Sequence, residues 1–317
     1  MSNIPPVGLG LWKVPEEDCA DVVYDAIAAG YRHLDSAADY GNEAQVGDGI
    51  QRALADGLCT REELWVTSKL WNTYHAPEHV RPALQRSLDD LKLDYLDLYM
   101  VHFPIALAFV PFEERYPPEW LHDPEKPEAG MKLGTTPLHV TWAAMEALVT
   151  DGLVRELGVC NYNSGLVHDL MCYARIRPTT LQIETHPYLT QERMLRLCEQ
   201  YALKPVAFSP LGALSYLELD MAEREESLLE NADVLRAAAA HERTPAQILL
   251  RWNIQRGCAV LPKSRHAERL RENLRVTDFE LDDQEMAAIS ALNRNRRFND
   301  PGTFCEAAFN TFHPIYD

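Results

Sequence analysis

A carboxylate, a phenol, an ammonium and an imidazole, each following or ending a short apolar run, are the residues here whose types best combine into chemistry. Asp35 and Tyr40 lie in HLDSAADYGNE, Lys69 in LWVTSKLW and His102 in YLDLYMVHFP. Together they can build a proton donor for a carbonyl oxygen. A tyrosine near its free pKa of ~10 is a sluggish acid at neutral pH. An adjacent lysine ammonium stabilises the phenolate, a buried carboxylate holds that lysine charged, and the imidazole orients the carbonyl. Singly, each has a structural explanation: Asp35 a helix cap, Tyr40 a surface tyrosine, Lys69 a solvated strand end, His102 a hydrogen-bonded core histidine. Their order and neighbours favour the joint reading.

The elements that must position them alternate almost to the end of the chain. Short β-branched or aromatic runs at 7–11, 33–37, 64–70, 96–102, 156–160, 181–185, 205–208 and 259–261 read as strands. Between them lie amphipathic stretches such as 19–29, 77–91, 137–150, 191–201 and 245–256, the last opened by Thr244-Pro245. Eight strands alternating with helices predict parallel crossovers and a (β/α)8 barrel, with an open doubly wound sheet as rival. No linker or repeat marks a break, so residues 1–317 read as a single domain. Asp35, Lys69, His102, Asn161, Ser209 and Lys263 fall near the carboxyl ends of their strands, the face on which barrel active sites are assembled. Two segments interrupt the alternation: 104–133, which contains VPFEERYPPEW, and the aromatic tail after Leu292. Both read as irregular chain folding over the barrel mouth.

Composition sets bounds. The chain has 317 residues, 46% of them hydrophobic, enough for a substantial core. A formal net charge of −18 argues against nucleic acid and anionic membranes as partners. No apolar run is long enough to span a bilayer and no signal-peptide pattern opens the chain. Seven cysteines without a Cys-x-x-Cys pair suit reduced thiols in a cytoplasm. No metal site is expected: His75 and His79 flank Pro77, and His168 with Cys172 lacks a third ligand.

At these residues the sequence resembles the aldo-keto reductases, most of all the D-xylose (aldose) reductases. HLDSAADYGNE, TSKLWN, DYLDLYMVHFPI, GVCNYN, LQIETHPYL and LPKSRHAERLRENL resemble family motifs in family order over nearly the whole chain. The resemblance implies a (β/α)8 barrel binding NADPH without a Rossmann domain, and the chain has no G-x-G-x-x-G. It implies Tyr40 as general acid, His102 as the carbonyl-orienting group, and Lys69, bound to Asp35, lowering the tyrosine's pKa. Asn161 and Gln182 match holders of the nicotinamide carboxamide. Phe208 stands where a tyrosine usually stacks on the nicotinamide, and Cys160 replaces a serine. Ser209 and Leu211 match pyrophosphate contacts.

At the nucleotide end, Lys263, Arg265 and Arg269 form a cationic cluster suited to a 2′-phosphate. Cations at a helix start oppose its dipole, so something anionic is expected to compensate. Ser264 adds a hydrogen bond, and Asn273 matches an adenine contact. Glu218, in SYLEL, is placed to accept from ribose hydroxyls. NADPH is therefore expected to be preferred and NADH tolerated. HFPIALAFVPFEERYPPEW and RRFNDP carry the xylose-reductase likeness, which implies Trp12, Trp71 and Phe103 lining the pocket and Asn299 bonding a sugar hydroxyl. Asp39 is a further candidate for a hydroxyl, or simply solvated. QIETHPYL also resembles plant sugar-phosphate reductases, for which Arg115 and Lys126 are candidate phosphate ligands. A cofactor-sensing binding protein is a third reading. The expected partner is a small aldose or aldehyde, in a monomer or homodimer. The family's N-terminal hairpin has no counterpart ahead of SNIPPVGLG, so the barrel floor is expected to be open or differently covered.

Overall fold

Runs of buried Val, Leu, Ile and Met with no polar alternation demand cover on both faces, and a parallel sheet wrapped in helices supplies it. The computed structural model describes residues 3–316. Eight parallel strands pair in sequence order: β1 (Leu9–Gly10), β2 (His33–Asp35), β3 (Trp65–Leu70), β4 (Leu96–Val101), β5 (Val154–Cys160), β6 (Thr180–Glu184), β7 (Lys204–Phe208) and β8 (Ala259–Val260). A parallel bridge between Val7 and Val260 brings the last strand back to the first, which closes the sheet and excludes the open doubly wound alternative. Inside the barrel, Leu98, Met100, Val206, Ala259 and Leu261 pack with Ile4, so the N-terminal segment itself covers the floor.

Around the sheet lie α1 (Glu16–Ala29), α2 (Glu43–Ala55), α3 (Pro77–Leu91), α4 (Leu138–Thr150), α5 (Ser164–Tyr173), α6 (Glu192–Tyr201), α7 (Ala232–His241), α8 (Pro245–Gln255), α9 (Ala267–Leu274), α10 (Asp283–Ser290) and α11 (Pro301–Phe309). Helix α8 starts as Thr244-Pro245 predicts. The Thr244 hydroxyl accepts from the Gln247 amide, the Gln247 side chain returns to the Thr244 amide, and Pro245 takes the position that needs no N–H. Gly47 and Gly49 let α2 lie close to its neighbours. A Cβ on Gly47 would come within 2.4 Å of the Asp90 carbonyl of α3, and one on Gly49 within 2.6 Å of the Ala20 carbonyl of α1.

The tail departs from the irregular chain expected after Leu292, because it contains α11. The signal was present: the Asp300 carboxylate accepts from the Gly302 amide and Pro301 occupies the first helical position, as at α8. The 104–133 segment is mainly irregular, as expected, with an antiparallel bridge from Leu107 to Leu133. The two segments meet over the mouth, where Trp120 stacks on Phe309 with centroids 5.9 Å apart and planes at 18°.

Candidate active site

Strand ends and the loops beyond them bring the four reactive groups together. Lys69, on β3, is fully buried. Its Nζ donates to Asp35 Oδ1 on β2 (2.6 Å), to the Ser36 carbonyl (2.7 Å) and to the Tyr40 hydroxyl (3.0 Å), so all three N–H bonds have acceptors. Tyr40 sits on the short helical turn after β2, against the imidazole of His102, which follows β4, with ring centroids 5.8 Å apart. Parallel pairing of β2, β3 and β4 places these side chains side by side on one rim.

The electrostatics are those of a neutral acid beside a fixed cation. Burial drives the Tyr40 phenol upward from its ordinary value, and the nearby Lys69 ammonium pulls it back only in part. Lys69 thus lowers the phenol pKa, as expected, while desolvation of the phenolate is the larger effect and leaves the net value raised. Burial opposes the Lys69 charge, but Asp35 and Tyr40 carry its pKa above the ordinary value. Burial, reinforced by Lys69, holds His102 far below 6.5, so its imidazole is neutral.

These groups open into a cavity of about 1070 Å³. That exceeds the roughly 300–1,000 Å³ typical of drug-sized ligands, leaving room for a coenzyme portion and a substrate together. Its walls include Asp35, Tyr40 and His102 from the catalytic set, Asn161, Gln182, Phe208, Ser209, Leu211, Glu218 and Lys263 from the coenzyme set, Cys160 beside them, and Trp12, Phe103 and Asn299 from the substrate set. Asn161 adopts a left-handed backbone (φ 62°), its amide donates to the His102 carbonyl and its Oδ1 accepts from the Tyr316 hydroxyl at 3.4 Å. Gln182 departs from a purely coenzyme-facing role: its Nε2 donates to Asp35 Oδ2 at 2.7 Å and its Oε1 receives the Cys160 thiol at 3.4 Å. It thus supports the carboxylate that holds Lys69.

One assignment needs correction, and several other assigned residues stand apart from the cavity wall. Trp71 does not line the cavity. It is fully buried behind it, edge-on to His102 at 5.2 Å and to Trp120 at 4.9 Å, with its indole N–H on the Glu119 carbonyl. Trp120 is the indole that reaches the cavity from the mouth loop. Ser264, Arg265, Arg269 and Asn273 lie on or just before α9, outside the cavity wall that Lys263 joins. Asp18 already pairs with Arg265 at 2.7 Å, so the compensating anion expected there is supplied by the protein. The Ser264 hydroxyl is spent on its own turn, accepting from the His266 amide. Arg115 donates to carbonyls of Pro118 and Leu121, and Lys126 pairs with Asp123; neither reaches the cavity.

The structure adds residues that the sequence reading passed over. Lys13 lines the cavity, donates to the Ser215 carbonyl at 3.1 Å and pairs with Glu218 at 3.4 Å, fastening the turn after β1 to the segment after β7. Its place in GLGLWK, beside Trp12, was the available signal. Tyr216 shares a hydrogen bond with the Ser209 hydroxyl (2.8 Å) and stacks on Phe298. Asp39 lines the cavity with Oδ1 buried and unpartnered, and burial, followed by Glu119, pushes its carboxyl well above the usual range. It is not solvated. No cluster of three or more His, Cys, Asp or Glu side chains suited to a metal occurs among the described residues.

A buried Tyr–Lys–Asp–His group on the carboxyl rim of a closed eight-stranded barrel, facing a cavity with lysines at its far side, defines a class. The sequence profile of the Aldo/keto reductase family matches residues 6–294, and the chain belongs to that family. Among its relatives, the NAD(P)H-dependent D-xylose reductase xyl1 of Aspergillus niger is 50% identical over 301 residues, 94% of this chain and 93% of that protein. The probable NAD(P)H-dependent D-xylose reductase xyl1 of Arthroderma otae is 50% identical over 303 residues, covering 95% and 91%. The solved aldose reductase of Schistosoma japonicum superposes with a TM-score of 0.86 at 34% identity, over 100% of this chain and 96% of that one.

Proposed function

We propose that the protein reduces the aldehyde of an open-chain aldose, D-xylose among them, to its alcohol using NAD(P)H. The observation that carries the reading is the Tyr40 hydroxyl held 3.0 Å from a buried, charged lysine on a cavity that also contains Trp12, Asp39 and Asn299. The xylose and aldose reductases named above support it.

The cavity's chemistry suits a nicotinamide coenzyme: amides at Asn161 and Gln182, an aromatic face at Phe208, and cations at Lys13 and Lys263. When bound, the coenzyme supplies the hydride. The protein's own part is electrostatic and protonic. Tyr40 donates its phenolic proton to the carbonyl oxygen, and Lys69 stabilises the resulting phenolate, whose charge replaces that lost from the oxygen. Neutral His102 orients the carbonyl without competing as an acid. Asp35, held by Gln182, keeps Lys69 charged in a site otherwise too dry for an ammonium. Asn299 and Asp39 pair with sugar hydroxyls while the Trp12 and Phe103 rings cover C–H faces.

NADPH is the preferred coenzyme in this reading and NADH is accepted. Lys263 favours a phosphate, whereas Glu218 can turn to ribose hydroxyls because it is exposed and held by an ion pair to Lys13. A reducing cytoplasm is the compartment we propose, on the odd and scattered set of seven cysteines. The test is Tyr40→Phe. It should fold, bind NADPH within about twofold of the parent and lose roughly 10²–10⁴ in turnover of D-xylose and DL-glyceraldehyde, the usual worth of a general acid. Near-parental turnover would refute the acid role. NADPH binding without turnover of either aldehyde by the parent protein would favour a cofactor sensor.

A further inference from the structure

Asn299 has no regular secondary structure of its own to fix it. The chain from Asn293 to Asp300, between α10 and α11, is irregular, yet the Asn299 side chain forms part of the cavity wall with a buried, unpartnered Oδ1. What fixes it comes from the barrel. Glu184, the last residue of β6, is completely buried. Its Oε1 accepts the Phe298 amide and its Oε2 the Asn299 amide, each at 2.8 Å. His186 Nε2 lies 2.8 Å from Oε1 and orients the carboxylate. A carboxylate spanning two consecutive backbone amides fixes both the position and the rotation of that peptide, because two parallel charge-assisted bonds define a plane.

The same joint reaches the coenzyme side. Phe298, whose amide Glu184 holds, packs between His186 (5.2 Å) and Tyr216 (5.6 Å, planes at 17°), and Tyr216 bonds Ser209. We propose that Glu184, oriented by His186, is a positioning residue for the hydroxyl-reading wall of the cavity, and that it sets discrimination between hydroxylated and plain aldehydes through Asn299. This rests on the aldose reading. Glu184 touches neither the Tyr40 group nor Asn161 by hydrogen bond, so its effect should fall on substrate recognition rather than on the acid.

The experiment is Glu184→Gln, which keeps the shape but offers one acceptor where two amides need two. Steady-state rates with D-xylose and with propanal, which has no hydroxyls, are measured alongside NADPH affinity by fluorescence quenching. The expected result is a rise of about tenfold or more in KM for xylose, with kcat/KM for propanal and NADPH affinity within about threefold of the parent. Glu184→Gln combined with Asn299→Ala should be no worse on xylose than Asn299→Ala alone, since both act on one contact. His186→Gln, which retains the carboxylate and should fold where Glu184→Gln does not, should show the same split to a smaller extent. Equal losses on both aldehydes, or additive losses in the double variant, would overturn the proposal and leave the aldose reading intact. A parent enzyme that turns over propanal but shows no saturation with xylose would overturn both.

Discussion

The sharpest consequence of the site's geometry is what removing one charge from it should do. In Asp35→Asn the Lys69 ammonium stays fully buried, with the Ser36 carbonyl and the Tyr40 hydroxyl as acceptors, but without its counter-charge. The new amide must turn its NH2 toward either Lys69 or the Gln182 amide, so one of the two hydrogen bonds to residue 35 is lost as well. Stranding one member of a buried pair costs about 3–5 kcal/mol. At 1.36 kcal/mol per pKa unit, that lowers the Lys69 pKa by roughly 2–4 units.

The sign of the pH dependence follows. In the parent, Lys69 titrates above its ordinary value, so its contribution is intact below about pH 10 and lost only above it. In Asp35→Asn that fall brings the folded-state pKa of Lys69 back toward its ordinary value, below that of the parent. The penalty relative to the parent is therefore flat around neutral pH and shrinks as pH rises through the variant's lowered lysine pKa, where the variant sheds the uncompensated charge before the parent does. Turnover should fall roughly 10²–10³-fold, because the phenolate loses its counter-charge. Urea unfolding at pH 7 and 9.5, with aldehyde reduction across pH 5.5–9.5, measures both. A variant within about 1 kcal/mol and threefold of the parent, or one whose penalty grows with pH, would refute the account of Lys69 as a carboxylate-held cation; the bounds are those of a surface pair.

Besides His102, two buried histidines outside the reacting group weigh on acid stability. Burial lowers His33 and His75 each to about 4, so stability should be lost as pH falls from 6.5 toward 4, by about 3 kcal/mol for each. Glu43, raised by burial to about 6, acts the opposite way and favours the folded state more as pH falls from 6 to 4.5, offsetting about 2 kcal/mol. Urea melts through this range check the sum, and His75→Phe should flatten the slope. Glu218→Ala, freeing Lys13, should damage NADH affinity more than NADPH affinity in fluorescence titrations; equal losses would mean it does not touch the ribose. Trp71→Phe should destabilise by about 2 kcal/mol and lower turnover several-fold by loosening His102 from behind, without raising KM for xylose as loss of a lining residue would.

What the sequence determined by itself was the alternation and its punctuation. Buried apolar runs that end in Asp35, Lys69, His102 and Asn161 report both a parallel barrel and its reactive rim, because one repeating strand–helix unit puts every strand end on the same face. The Thr244-Pro245 start was legible for the same local reason, since a cap and its proline act within one turn. Depth was not legible. Trp71 and Trp120 are alike as residues, and only the packing of the mouth loop against α11 puts the second on the cavity and the first behind it. Nor was partnership: only the folded chain shows that Arg265 lies beside Asp18, 247 positions away. The phenol pKa belongs to the same class, because it is a balance between burial and a lysine 29 residues distant. Spacing along a chain fixes which groups share a face. How far each is desolvated, and by what it is met, depends on segments that come together only when the barrel closes and its loops fold over it.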